Sequence, residues 1–210
     1  MYDELFKPKR LYTRMECIGH DSHVPAKPGV YAWYFDCIPT LVPGENLHKV
    51  DGSSLLYLGI SPSRRESAAT LRRRISMHYC NNASGSTLRK TLGILLERKL
   101  GFPLHRVGNG DRMTFTNKGE QALDKWMDAH ARVCWMLHPW PWEIEKSLII
   151  PHNIPLNLEH NEANAFHKEL ERLRASATAH ARDMDVFTET EPRRPRRIDI
   201  NKIAKIGKHK

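Results

Sequence analysis

After Pro25 and Pro28, Gly29 opens an unbroken apolar and aromatic run, Val30-Tyr31-Ala32-Trp33-Tyr34-Phe35. Aromatic and β-branched content of this density predicts a strand. Leu55 to Ile60 predicts a second strand, and Gly59 within it predicts a point where another group approaches the backbone closely. Residues 36–54 between them carry Pro39, Pro43, Gly44 and Gly52, the composition of a long loop.

Helical periodicity follows. Over residues 67–80, Leu71, Arg74, Ile75 and His78 fall at i, i+3, i+4 and i+7, on one face. Half of that face is an arginine and a histidine, which need polar partners if buried, so the face is expected to line a site. Ser86 begins another predicted helix, with Leu88, Leu92, Leu95 and Leu96 as its stripe and Gly101 as its stop. Its start, Gly85-Ser86-Thr87, reads either as an ordinary cap or as a place where helix amides meet a phosphate. A short strand over residues 112–117, a helix over 118–130 and a strand over 132–137 come next. Pro141 and Trp142 open a helix to about Ile150, with Glu145 among its apolar residues Ile144, Leu148 and Ile149. Residues 161–176 read as a polar helix with a narrow seam of Phe166, Leu170 and Leu173. The resulting organisation is an arm over residues 1–24, a domain over 25–176 with its insertion at 36–54, and a basic, disordered tail over 177–210.

A length of 210 residues suits one domain with a real core. No apolar run approaches the roughly 20 residues of a membrane helix, and Met1-Tyr2-Asp3-Glu4 lacks a secretory pattern. A soluble, cytoplasmic protein with no membrane partner is expected. Cys17, Cys37, Cys80 and Cys134 form no C-x-x-C pair and fit no zinc module, so plain buried thiols are expected. The net charge of +9 points to a polyanionic partner. Residues 193–210 carry eight Lys/Arg against Asp199 alone, and residues 60–101 carry nine against Glu66 and Glu97. Each region reads either as a solvated basic surface or as a phosphate-contacting one.

Five features stand in order: Gly29-Val30-Tyr31, Tyr57-Leu58-Gly59, Arg74 with His78, Glu145 before a hydrophobic pair, and Asn157 in Pro155-Leu156-Asn157-Leu158. Taken singly, each has an ordinary structural use. In this order they resemble the GIY-YIG nuclease family over roughly residues 28–158. That family includes homing endonucleases, the incision subunit of bacterial nucleotide-excision repair and some Type II restriction enzymes. The resemblance implies an α/β (α+β) fold, with a small, mostly antiparallel central sheet of about three strands flanked by helices. It also implies a divalent-metal-dependent endonuclease with Mg²⁺ or Mn²⁺ as cofactor and DNA as substrate, RNA being the alternative. On the matching positions, Tyr31 and Tyr57 would face the scissile phosphate and the attacking water. Arg74 would contact the phosphate, and His78 would stand near the nucleophile. Glu145 would bind the metal, Asn157 would orient the site, and Gly29 and Gly59 would be structural.

The residue types suit phosphodiester hydrolysis on chemical grounds. Mg²⁺ is usually held by one or two carboxylates, with water and substrate completing its shell. Metal and arginine both stabilise charge in the transition state. Either Tyr31 or His78 can serve as the proximate base.

Two departures from the family pattern stand out. Twenty-five residues separate Tyr31 from Tyr57 where compact members have a tight hairpin; the insertion either contacts DNA or is a surface loop. Ile60-Ser61 follows Gly59 where many members have a lysine or a small polar residue, so that phosphate contact is either absent or supplied by Arg64 or Arg65. Arg72, Arg73, Arg89 and Lys90 are expected to contact backbone phosphates as well. The alternatives to an active nuclease are a non-catalytic nucleic-acid-binding module and a subunit of a defence or repair complex. Oligomeric state has no signature in this sequence.

Overall fold

The computed structural model describes residues 2–189. Its centre is a four-stranded antiparallel sheet. The two predicted strands are β1 (Gly29–Phe35) and β3 (Ser53–Ser61), paired with Tyr31 opposite Gly59 and Trp33 opposite Tyr57. Between them, β2 (Lys49–Val50) adds a two-residue fourth strand inside the segment expected to be loop. The order is β2-β3-β1-β6, with β6 (Ala131–Leu137) on the far side of β1.

Register slips once, between Trp33 and Tyr34, because Leu55 faces Tyr34 while Tyr57 faces Trp33. Leu56 is the additional residue of a β-bulge. Both Leu56 and Tyr57 therefore join one core layer, with Tyr31, Trp33 and Phe35, while Leu55, Leu58 and Ile60 join the other. All seven residues of β1 are buried, since the sheet is covered on both faces.

One face is covered by α3 (Leu71–Cys80), α4 (Thr87–Leu95), α6 (Thr116–His130) and α8 (His167–Asp183). The other meets α1 (Asp3–Phe6) and α7 (Pro141–Ile149). Small elements complete the fold: α2 (Arg14–Cys17), α5 (Glu97–Leu100), and a hairpin of β4 (His105–Val107) and β5 (Arg112–Thr114). No described helix is long and apolar enough to cross a membrane.

Several boundaries differ from the sequence reading, each for a local reason. α3 starts at Leu71, because the Thr70 side chain accepts from the Arg73 amide at 3.4 Å and caps the helix there. The helix expected from Ser86 to Gly101 breaks at Leu96 into α4 and α5, and Gly101 ends the second in the left-handed conformation (φ 74°). α8 starts at His167 because Asn161 and Asn164 bond locally to Ile154 and Asn157 carbonyls and to the Phe166 amide. It then continues to Asp183, so residues 177–183 of the expected tail are helical. Beyond it, Phe187 donates its amide to the Arg106 carbonyl at 2.8 Å. Residues 190–210 of that expected tail lie outside the described residues.

The N-terminal arm is a working part of the sheet. Tyr12 and Val133 exchange backbone hydrogen bonds at 2.9 and 3.0 Å, covering the free edge of β6. Leu5 is fully buried, and the Tyr34 hydroxyl donates to its carbonyl at 2.7 Å. The 36–54 insertion packs here too: Val42 and Leu47 are buried, and His48 bonds the Phe6 carbonyl at 2.6 Å. Cys17 and Cys134 are buried as expected, whereas Cys37 and Cys80 are half-buried.

Candidate active site

Tyr31 and Tyr57 are brought together by the bulge and the antiparallel pairing. Gly59, directly opposite Tyr31, makes room for it: a Cβ there would lie 2.6 Å from Tyr31 Cζ. Gly29 is needed for a similar reason, since its Cβ would crowd the Met136 carbonyl of β6 and lie 2.7 Å from Leu71 Cδ1 of α3. Both glycines are sites of close approach, which the sequence predicted for Gly59.

α3 carries Arg74 and His78 one turn apart toward β1. Nε2 of His78 is hydrogen-bonded to the Tyr31 hydroxyl at 2.8 Å, and Nδ1 to the Ser86 hydroxyl at 2.7 Å. Arg74 Nε donates to the Tyr31 oxygen at 3.4 Å. A continuous chain, Arg74–Tyr31–His78–Ser86, thus runs from the solvent side into the core. Ser86 also accepts the Arg89 amide at 3.2 Å as the cap of α4, so it uses its hydroxyl for the helix start and for the histidine.

Burial sets the protonation of this chain. His78 is fully buried, and desolvation, aided by the charges of Arg74 and Arg89, pushes its pKa well below the usual histidine range. It is neutral, with one ring nitrogen free to accept. Burial raises Tyr31 above the ordinary phenol value, as does Tyr57, against the opposing pull of Arg74. Tyr57 is raised by burial too, and it stands among Arg74, Glu145 and Arg174. Arg74 keeps its charge: burial works against it, but the Tyr31 and Tyr57 hydroxyls hold its proton.

These residues open on a cavity of about 340 Å³ lined by Tyr31, Tyr57, Gly59, Arg74, Glu145 and Asn157, with Ser63, Thr87, Glu159 and Arg174 at its rim. Glu145 reaches it from α7. Its carboxyl is pushed up to about 7, first by burial and then by the charge of Glu159. A carboxylate held in this state favours a cation beside it. Among the described residues, no group of three or more His, Cys, Asp or Glu side chains is placed to hold a metal. A closed site of several protein ligands is therefore not formed. One carboxylate with a second nearby, facing an open cavity, fits instead a hard, hydrated ion such as Mg²⁺ or Mn²⁺.

Asn157 positions rather than reacts. Its side chain accepts the Leu58 amide at 2.9 Å and donates to the Leu58 carbonyl at 2.8 Å. With the Leu156 amide donating to the Leu56 carbonyl at 2.9 Å, it replaces a neighbouring strand where β2 has already ended. β3 is thereby fixed between Tyr57 and Gly59.

The expected phosphate contacts divide. Arg89 is not one: it is fully buried, donating to Glu120 Oε2 at 2.6 Å and to the His78 and Tyr79 carbonyls at 3.2 and 3.3 Å, with Asp124 2.7 Å away. It ties down the end of α3 and is unavailable to a ligand. Arg72 is exposed, but its Nε is committed to the Val24 carbonyl at 2.7 Å. Arg73 lines a shallow depression beside Arg74, and Arg64 and Arg65 are exposed on the loop after β3. Lys90 lines a second groove described below. No insertion residue lines the cavity.

Ser86, Glu159 and Arg174 escaped the sequence reading as site residues. Ser86 had a visible signal as a helix cap, but its bond to His78 is a tertiary fact. Arg174 was legible only as a basic residue on a polar helix.

A model of the GIY-YIG catalytic domain matches residues 29–176. Neither the curated proteins nor the solved structures yield a match. The matched span runs from the first glycine of β1 into α8, enclosing every member of the Arg74–Tyr31–His78–Ser86 chain, Glu145 and Asn157. The chain belongs to the GIY-YIG family and carries its nuclease domain.

Proposed function

We propose that the protein is a divalent-metal-dependent endonuclease that hydrolyses phosphodiester bonds in DNA through the cavity between β1, β3, α3 and α7. The observation that carries this is the convergence on one cavity of an arginine, a phenol backed by a neutral histidine, and a half-buried carboxylate with a raised pKa.

In the reaction, water oxygen forms a bond to phosphorus and the bond to the leaving sugar oxygen breaks; that oxygen takes a proton from solvent water in the open cavity, giving a phosphomonoester and a free hydroxyl. The water's proton passes to Tyr31 while the Tyr31 proton moves along its 2.8 Å bond to His78 Nε2. Ser86 holds the ring so that Nε2 faces the phenol. Direct acceptance by His78 would require it to reach past Tyr31, which shields it from the cavity. Arg74, whose Nε is engaged by Tyr31, has its terminal nitrogens for the phosphate oxygens. Tyr57 lies opposite with its proton retained by burial, suited to donate toward the phosphate. Glu145 would hold the metal, with Glu159 outside it; when bound, the ion supplies charge neutralisation at the phosphate and an acidified water. Arg73, Arg64 and Arg65 are the remaining candidates for outer phosphate contacts.

The test is cleavage of supercoiled plasmid and of labelled single-stranded DNA, with Mg²⁺, with Mn²⁺ and with chelator, beside Glu145→Ala and Arg74→Ala. Metal-dependent nicking lost in both variants supports the reading. Full activity in Glu145→Ala would remove the metal assignment. Cleavage of RNA alone would change the substrate class. Binding without cleavage of any nucleic acid would leave the non-catalytic module in its place.

A further inference from the structure

A second groove, of about 670 Å³, opens beside the cavity and shares Arg74, Thr87 and Arg174 with it. Lys90 of α4, Arg112 of β5 and Arg182 of α8 line its other walls. Asp111 is the one acid among its described lining residues. On α8, Arg174, Thr178 and Arg182 succeed one another at i, i+4 and i+8, a straight row about 6 Å per step. None of Lys90, Arg112, Arg174 and Arg182 makes an ion pair with a described residue, whereas Arg172, on the same helix, is paired with Glu169 at 2.7 Å. The crowding is felt electrostatically: Lys90 is depressed by burial and then by Arg174 and Arg182. Like charges gathered in a trough without counter-ions work against folding, and an anionic ligand relieves that repulsion.

We propose that this groove is the track for the sugar–phosphate backbone of the substrate strand on one side of the scissile phosphate, with Lys90 and Arg182 as sequence-independent contacts. The proposal rests on the nucleic-acid reading of the adjoining cavity. Arg174 is the junction, lining both, so a strand whose phosphate meets Arg74 continues directly onto α8. Backbone contacts of this kind set position and salt dependence without reading bases.

The experiment is binding of a labelled duplex to the full chain in chelator, across a salt series, for wild type, Lys90→Ala/Arg182→Ala and Arg172→Ala. With a slope of about 0.9 per neutralised phosphate, the double variant is expected to lose about 2 from the slope of log K against log salt, and Arg172→Ala nothing. In the metal-dependent cleavage assay, KM should rise with kcat retained. An unchanged slope in a double variant that melts like wild type would overturn the track. Should the half-buried Lys90 site not tolerate alanine, the exposed Arg182→Glu alone decides: unchanged affinity and slope overturn the proposal, and a shallower slope supports it. The two readings fail separately. A shallower slope without cleavage by wild type removes the nuclease and keeps the track; cleavage with an unchanged slope does the reverse.

Discussion

Arg74 on α3 and Arg89 on α4 come from the same basic stretch of sequence, and they have opposite fates. Arg89 is sealed among Glu120, Asp124 and the carbonyls that end α3, with no exposure. Arg74 is engaged by the Tyr31 and Tyr57 hydroxyls and faces a cavity whose acid, Glu145, approaches from another helix. A buried, fully paired arginine holds structure; a half-buried one left without its anion awaits a ligand. The contrast makes distinct demands on each residue.

The largest effect is expected at Arg89. Arg89→Ala takes the guanidinium from Glu120 and Asp124 and frees the end of α3; breaking such a pair costs about 3–5 kcal/mol, to be read in chemical or thermal unfolding. A wild-type melting curve would show that the closed network is dispensable and erase the contrast. Arg74→Ala comes next, and here chemistry rather than folding should suffer. Cleavage is expected to fall about 10²–10³-fold, as when a transition-state donor is lost, with the melting temperature nearly unchanged. A comparable loss of stability would make Arg74 a second structural arginine. Ser86→Ala sits between the two networks, because Ser86 caps α4 and holds His78. It should lose about 1 kcal/mol of stability and about tenfold in kcat, less than loss of a general base, with KM steady. Stability lost without any change in kcat would separate Ser86 from the chemistry. The smallest effect is expected at Arg72, exposed and, among the described residues, bonded through its side chain to the Val24 carbonyl alone: Arg72→Ala should stay within about 0.5 kcal/mol of wild type and keep the wild-type salt dependence.

What sequence revealed and concealed divides along the same line. Tyr31, Tyr57, Arg74, His78 and Glu145 were legible because their order is distinctive, although no pair of them is close in sequence except Arg74 and His78. β1, β3 and β6 were legible from aromatic and β-branched runs, and the longer helices from their stripes, whereas the short β2 and β4 were not. Arg89 was not, because its partners Glu120 and Asp124 lie more than thirty residues away and nothing in Leu88-Arg89-Lys90 distinguishes it from Arg72 or Arg73. Asn157 was placed in the site by order alone; that its amide substitutes for a strand follows from β2 being only two residues long. The extent of α8 was misjudged at both ends: Asn161 and Asn164 prefer local turns, and past residue 176 the helix continues to Asp183 with Ala181 fully buried.

The bulge at Leu56 makes β3 a seam between two phases of alternation. On one side runs the phase of the β2–β3 hairpin and its long insertion; on the other, that of Tyr57-Leu58-Gly59. A strand with a single phase would transmit any one-residue gain or loss upstream straight into the motif, turning Tyr57 and Gly59 away from Tyr31. Here the loose residue absorbs such a slip. Removing Leu56 would leave Tyr57 opposite Trp33, whereas removing Leu58 would carry Gly59 out from under Tyr31. The segment between the two tyrosines can thus change in length while the Tyr57-Leu58-Gly59 half of β3 keeps its frame.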